Sequence, residues 1–208
     1  NYATWTPTMN ESVLFRHNVL VVNQKAKLIE LTNQYSVFDA DGNTVGHVNQ
    51  VGQSNVKKLL RLISSVDQFL THHFDITDAS DALVMSITRP AKLFKSTVLI
   101  NDSTGAELGR IVQENVFGKI HFALEVGGLK IGAIKAENWR AWNFSIEDAD
   151  GREVARITKK FAGLAREIFT TADSYVVEIH ENLSQPLHSL VIAAALSIDT
   201  ALKQDSRL

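Results

Sequence analysis

The chain has 208 residues, 45% of them apolar and 21% charged, with three prolines and no cysteine. Its 21 Lys and Arg face 23 Asp and Glu, for a net charge of −2, so a protein built mainly to hold nucleic acid is disfavoured. Wholesale disorder, disulfides, cysteine–zinc sites and thiol chemistry are excluded, and the length suits one core.

The first fifteen residues lack a basic start followed by an apolar run, so no signal peptide is expected. Most of the chain beyond them reads at period 2. Val19 to Val22 is a short apolar run, and Tyr35 to Phe38 meets the turn Asp39-Ala40-Asp41-Gly42-Asn43 before Thr44 to Val48. The same strand–turn–strand phrase recurs around Asn101-Asp102-Ser103-Thr104-Gly105 and around Asp148-Ala149-Asp150-Gly151. Asp and Asn nucleate such turns through their side chains, and Gly supplies positive φ. Further strands are expected at Asp81 to Ile87, Lys119 to Val126, Lys130 to Ala136 and Tyr175 to His180. Gly127-Gly128 reads as a hairpin turn, and Gly132 inside a strand points to a close backbone approach or a bend.

Two stretches break the pattern. Val56, Leu59, Leu60, Ile63, Val66 and Leu70 recur at helical spacing with Ser54 as N-cap, opposite a face bearing Lys57, Lys58 and Arg61. The second helix, about Pro186 to Leu202, is apolar on every side, from Leu187 through Leu190, Val191 and Ile192 to Leu202. It is too short to cross about 30 Å of hydrocarbon, which takes roughly 20 apolar residues. A helix apolar all round and too short to span belongs in a core, and a closed barrel around it also removes exposed strand edges.

The repeated Asp-x-Asp-Gly resembles part of a calcium loop, but the acid that such a loop needs at its twelfth position is missing, so hairpin turns are the better reading. His72-His73 invites a metal. Neighbouring histidines point apart, and the stretch with Asp75, Asp78 and Asp81 reads as a solvated loop. No metal, cofactor or Ser/His/Asp constellation is expected.

The run Ile157 to Tyr175, with Lys159-Lys160-Phe161-Ala162-Gly163 and then Phe169-Thr170-Thr171-Ala172-Asp173-Ser174-Tyr175, resembles the phospholipid scramblase family. Arg89-Pro90 before Phe94 and the apolar helix with Ser197-Ile198-Asp199 match the same pattern. The chain looks like a bacterial-type member. The resemblance implies a tubby-like, LURP-one-related fold: all-β, a closed twelve-stranded barrel around a buried hydrophobic C-terminal helix. The whole of 1–208 then reads as one scramblase/tubby-like domain with a helical insertion at about 53–80. The segment where eukaryotic members carry a proposed calcium site, Thr171 to Asn182, offers a carboxylate at only one of its alternate positions, Asp173, so calcium is not carried over.

Tubby-like domains hold phosphoinositides with Lys and Arg on one barrel face. By that resemblance Arg89, Lys92 and Lys95, with Lys159 and Lys160 second, are candidates for a lipid-headgroup patch; the plainer reading is a solvated strand face. The expectation is a non-enzymatic, cytoplasmic domain that binds membrane phospholipid or another ligand peripherally, on the inner face of the membrane. The alternative is a protein-interaction or regulatory module on the same scaffold.

Overall fold

A computed structural model describes residues 12–23, 34–51, 71–91, 95–115, 119–138, 142–159 and 174–203. The strands are β1 (Val19–Asn23), β2 (Gln34–Phe38), β3 (Thr44–Val51), β4 (His72–Asp78), β5 (Leu83–Arg89) and β6 (Thr97–Asp102). They continue as β7 (Glu107–Gln113), β8 (His121–Val126), β9 (Leu129–Asn138), β10 (Asn143–Asp148), β11 (Glu153–Thr158) and β12 (Ser174–Ile179), followed by the helix α1 (Leu187–Lys203). Every strand pairs antiparallel with the next in sequence, and β1 pairs with β12 to close the barrel, with Leu20 opposite Val177 and Val22 opposite Tyr175. Closure leaves no edge strand among the described residues.

Alternation decides which side chains line the lumen. On β5, Met85, Ile87 and Arg89 are buried while Ser86 and Thr88 are half-exposed; on β6, Val98 and Ile100 are buried. These residues enclose α1, in which Leu190 to Ile198 are all buried. The barrel admits a helix because some inward positions carry no side chain. A Cβ on Gly109 would lie 2.5 Å from the Glu125 carbonyl oxygen and 2.8 Å from Leu190 Cδ2. A Cβ on Gly132 would lie 2.6 Å from the Glu147 carbonyl oxygen, the close approach expected from its place in a strand. The Tyr175 hydroxyl donates to the Ala195 carbonyl at 2.8 Å, tying β12 to the far half of the helix.

Two expectations change. His72-His73 is the start of β4, a full member of the barrel opposite Thr88 and Arg89, and so is not a solvated loop. The insertion read at about 53–80 therefore gives way to a strand at His72. The helix expected over 54–70 lies outside the described residues.

Candidate functional site

An up-and-down barrel sorts its connections by parity. The links β2–β3, β4–β5, β6–β7, β8–β9 and β10–β11 emerge at one end, the turn end, and all are short. The links β1–β2, β3–β4, β5–β6, β7–β8, β9–β10 and β11–β12 emerge at the other, the loop end, and include every long one. The chain enters β1 and leaves β12 at the turn end, so α1 starts there and runs towards the loop end.

The turn end is acidic by construction. Asp39 Oδ1 accepts the N–H groups of Asp41 and Asn43, both at 2.9 Å. Asp148 Oδ1 accepts those of Asp150 and Arg152, and Asp102 Oδ1 accepts those of Thr104 and Ala106. A fourth copy starts at Asp78, whose Oδ1 accepts the N–H groups of Ser80 and Ala82. Its motif is hidden in the sequence because Asp81, at φ 64°, takes the left-handed slot that Gly42, Gly105 and Gly151 fill elsewhere. Burial alone would raise the carboxyls of Asp39, Asp78 and Asp102. The hydrogen bonds they accept outweigh it and hold them below the ordinary range. Asp148 is held low first by the Arg152 N–H.

The loop end has the opposite character. No strand residue that borders it is Asp or Glu, whereas Asp78, Asp102, Glu107, Asp148 and Glu153 border the turn end. Among the described residues, the loop-end connections carry Lys95, Lys119 and Lys159 and one acid, Glu114.

Of the five candidate headgroup residues, Arg89, Lys95 and Lys159 map to this end, but not as one patch. Arg89 is fully buried, because alternation along β5 turns it into the lumen beside Ile87. It leaves the headgroup set and joins a buried polar layer with His72, Ser96 and Gln113. There the Gln50 amide meets His72 Nδ1 at 2.8 Å, and the Ser96 N–H donates to Gln113 Oε1 at 2.8 Å. Lys95 is exposed and donates from Nζ to the Glu114 carbonyl at 2.8 Å. Lys159 Nζ sits 4.8 Å from the Trp142 ring centroid. Lys92 and Lys160 lie outside the described residues. The β5–β6 and β11–β12 connections lie half a turn apart around the closed sheet, so Lys95 and Lys159 are on opposite sides of the rim and share no barrel face.

Sequence reasoning passed over two residues at this end. Lys119, before β8, is exposed at the same rim. Trp142, half-buried at φ 52°, stacks on Tyr175 at 5.1 Å and meets Phe144 edge-on at 6.1 Å. The available signal was the four-residue connection Trp139-Arg140-Ala141-Trp142, together with the parity of the strands. Among the described residues, no group of three or more His, Asp or Glu is placed to hold a metal, and no helix is long and apolar enough to cross a membrane.

A closed twelve-stranded antiparallel barrel wound around its own C-terminal helix defines a class of fold. An Arabidopsis thaliana protein of known structure shares it, with a TM-score of 0.50 at 9% identity over 87% of this chain and 91% of that one. The Scramblase family model matches residues 4–202, and the chain belongs to that family. A phospholipid scramblase family protein of Schizosaccharomyces pombe is 23% identical over 181 residues, covering 79% of this chain and 46% of that protein. The altered inheritance rate of mitochondria protein 25 of Saccharomyces cerevisiae is 25% identical over 177 residues, covering 71% of this chain and 52% of the relative. The chain thus spans about half the length of the curated relatives it matches.

Proposed function

We infer that the protein is a non-enzymatic, peripheral binder of anionic phospholipid surfaces, acting at the cytoplasmic face of a membrane. The carrying observation is the uneven placement of charge. In a chain of net charge −2, the described loop-end connections carry Lys95, Lys119 and Lys159, while Asp39, Asp78, Asp102 and Asp148 stand at the turn end. Each Lys or Arg near an anionic leaflet contributes about 1 kcal/mol. Headgroup passage through the barrel is disfavoured, because the lumen holds the apolar side chains of α1 where a polar route would be needed.

Co-sedimentation with vesicles tests this reading. The protein should pellet with phosphatidylserine-containing vesicles at low salt and not with purely zwitterionic ones. Binding should fade as salt rises, because the Debye length shrinks from about 10 Å at 0.1 M to about 3 Å at 1 M. Failure to pellet with any vesicle at any salt concentration would leave the interaction-module reading in its place.

A further inference from the structure

We propose that the barrel meets an anionic bilayer end-on, with Lys95, Lys119, Lys159 and Trp142 in the contact and the Asp turns facing away. The inference rests on the lipid reading above and adds its geometry.

The described cations are distributed around the rim, Lys95 and Lys119 exposed and Lys159 half-buried. Lys95 belongs to the β5–β6 connection, Lys119 to β7–β8 and Lys159 to β11–β12, so the three are spread around the closed sheet. Strands spaced about 4.8 Å apart and tilted by about 40° make a twelve-stranded barrel roughly 20–25 Å across. That is about twice the Debye length of about 10 Å at 0.1 M salt. In a side-on contact, at most one of Lys95 and Lys159 would feel the surface, and the other would be screened. A flat surface reaches both only across the loop end.

The turn end gives the second reason. Its Asp39, Asp78, Asp102 and Asp148 carboxylates are held below their ordinary pKa range by hydrogen bonds, so they stay charged at any physiological pH. An anionic leaflet repels that end. The two ends together orient the molecule before contact, as opposed charge layers do.

Trp142 gives the third. It lies in the β9–β10 connection at the loop end, half-buried on Tyr175, with the Lys159 ammonium beside its ring. An amphipathic ring paired with a cation suits the headgroup layer, where Trp is enriched. Its backbone is held at φ 52°, an uncommon conformation for a bulky residue, and such a position survives only where its surroundings fix it.

The test combines charge variants with site-specific labels, which the cysteine-free sequence permits. Lys95→Gln, Lys119→Gln and Lys159→Gln together should weaken binding to phosphatidylserine vesicles roughly a hundredfold at low salt, at about fivefold per charge. Asp41→Lys with Asp150→Lys makes the turn end less acidic and should leave affinity within about twofold, because that end points away from the surface. An environment-sensitive dye on Ala91→Cys, exposed at the loop end, should shift to the blue on vesicles. The same dye on Leu129→Cys, 73% exposed at the turn end, should not. A dye response at Leu129→Cys, or tighter binding of the Asp41/Asp150 variant with no effect of the lysine changes, overturns the end-on geometry while lipid binding stands. If the unaltered protein binds no vesicle, both the lipid reading and this geometry fail.

Discussion

At the residue scale, Glu153 and His188 both make stability fall as pH falls, each in its own window. Glu153, at the start of β11, accepts from Ser145 Oγ at 2.7 Å and from Arg156, and meets His180 Nε2 at 2.9 Å. Burial would raise its carboxyl, but these partners prevail and hold it at about 2. A depressed carboxyl stabilises the fold above its unfolded pKa of about 4.3 and loses that contribution as pH falls towards 2. Glu153→Gln should therefore cost about 1–2 kcal/mol at pH 7, after discounting for partial exposure, and almost nothing near pH 2. Chemical denaturation across that range checks this prediction, and a cost independent of pH would contradict it. His188 acts in the same direction for a different reason. Its Nε2 is buried, its ring stands edge-on to Phe15 at 5.3 Å, and burial lowers its pKa. It therefore erodes stability as pH drops below the unfolded value of about 6.5, a separate window from that of Glu153.

At the scale of elements, the sequence was legible wherever one rule acted alone. The apolar helix was readable because no side of it is polar, and the Asp-Gly turns because Asp and Gly each have a distinct task. Reading failed where two rules competed. His72-His73 looked solvated, yet β4 needs only alternation: His72 faces in with Phe74 and Ile76, and His73 faces out. Arg89 looked like a surface cation because Arg is rarely buried, but its parity on β5 overrides that preference. Glycines show the same lesson, since one residue type serves two purposes. Gly105 sits at φ 89° with open space where a Cβ would go, whereas Gly109 has none. Gly105→Asn should therefore cost less than about 1 kcal/mol, because Asn tolerates the left-handed region. Gly109→Ala should cost about 1–3 kcal/mol, because strand β8 and Leu190 must give way together. Equal denaturation midpoints for the two variants would show that α1 does not press on β7.

At the scale of the whole molecule, the site was less legible than the fold because it depends on strand count. The family resemblance suggested one barrel face for the basic residues, but a single strand more or less before Lys159 would move it to the opposite end of the barrel. Only the full twelve-strand order puts Lys95 and Lys159 at one end and on opposite sides of it. The same order makes α1 indispensable. It follows β12, enters at the turn end and fills the lumen with Leu190, Val191, Ile192, Leu196 and Ile198, all buried. At about 1.5–3 kcal/mol for each such side chain, these five contribute roughly as much as the whole net stability of a domain, about 5–15 kcal/mol. The strands would also be left lining an empty apolar tube. A chain ended after Ser184 should therefore keep strand content without fixed packing. Its far-UV circular dichroism should persist while the near-UV signal disappears, and it should bind the dye ANS and melt without a cooperative transition. A truncated chain that melts as sharply and at the same temperature as the full one would mean that the strands alone hold the barrel, with the helix only filling space.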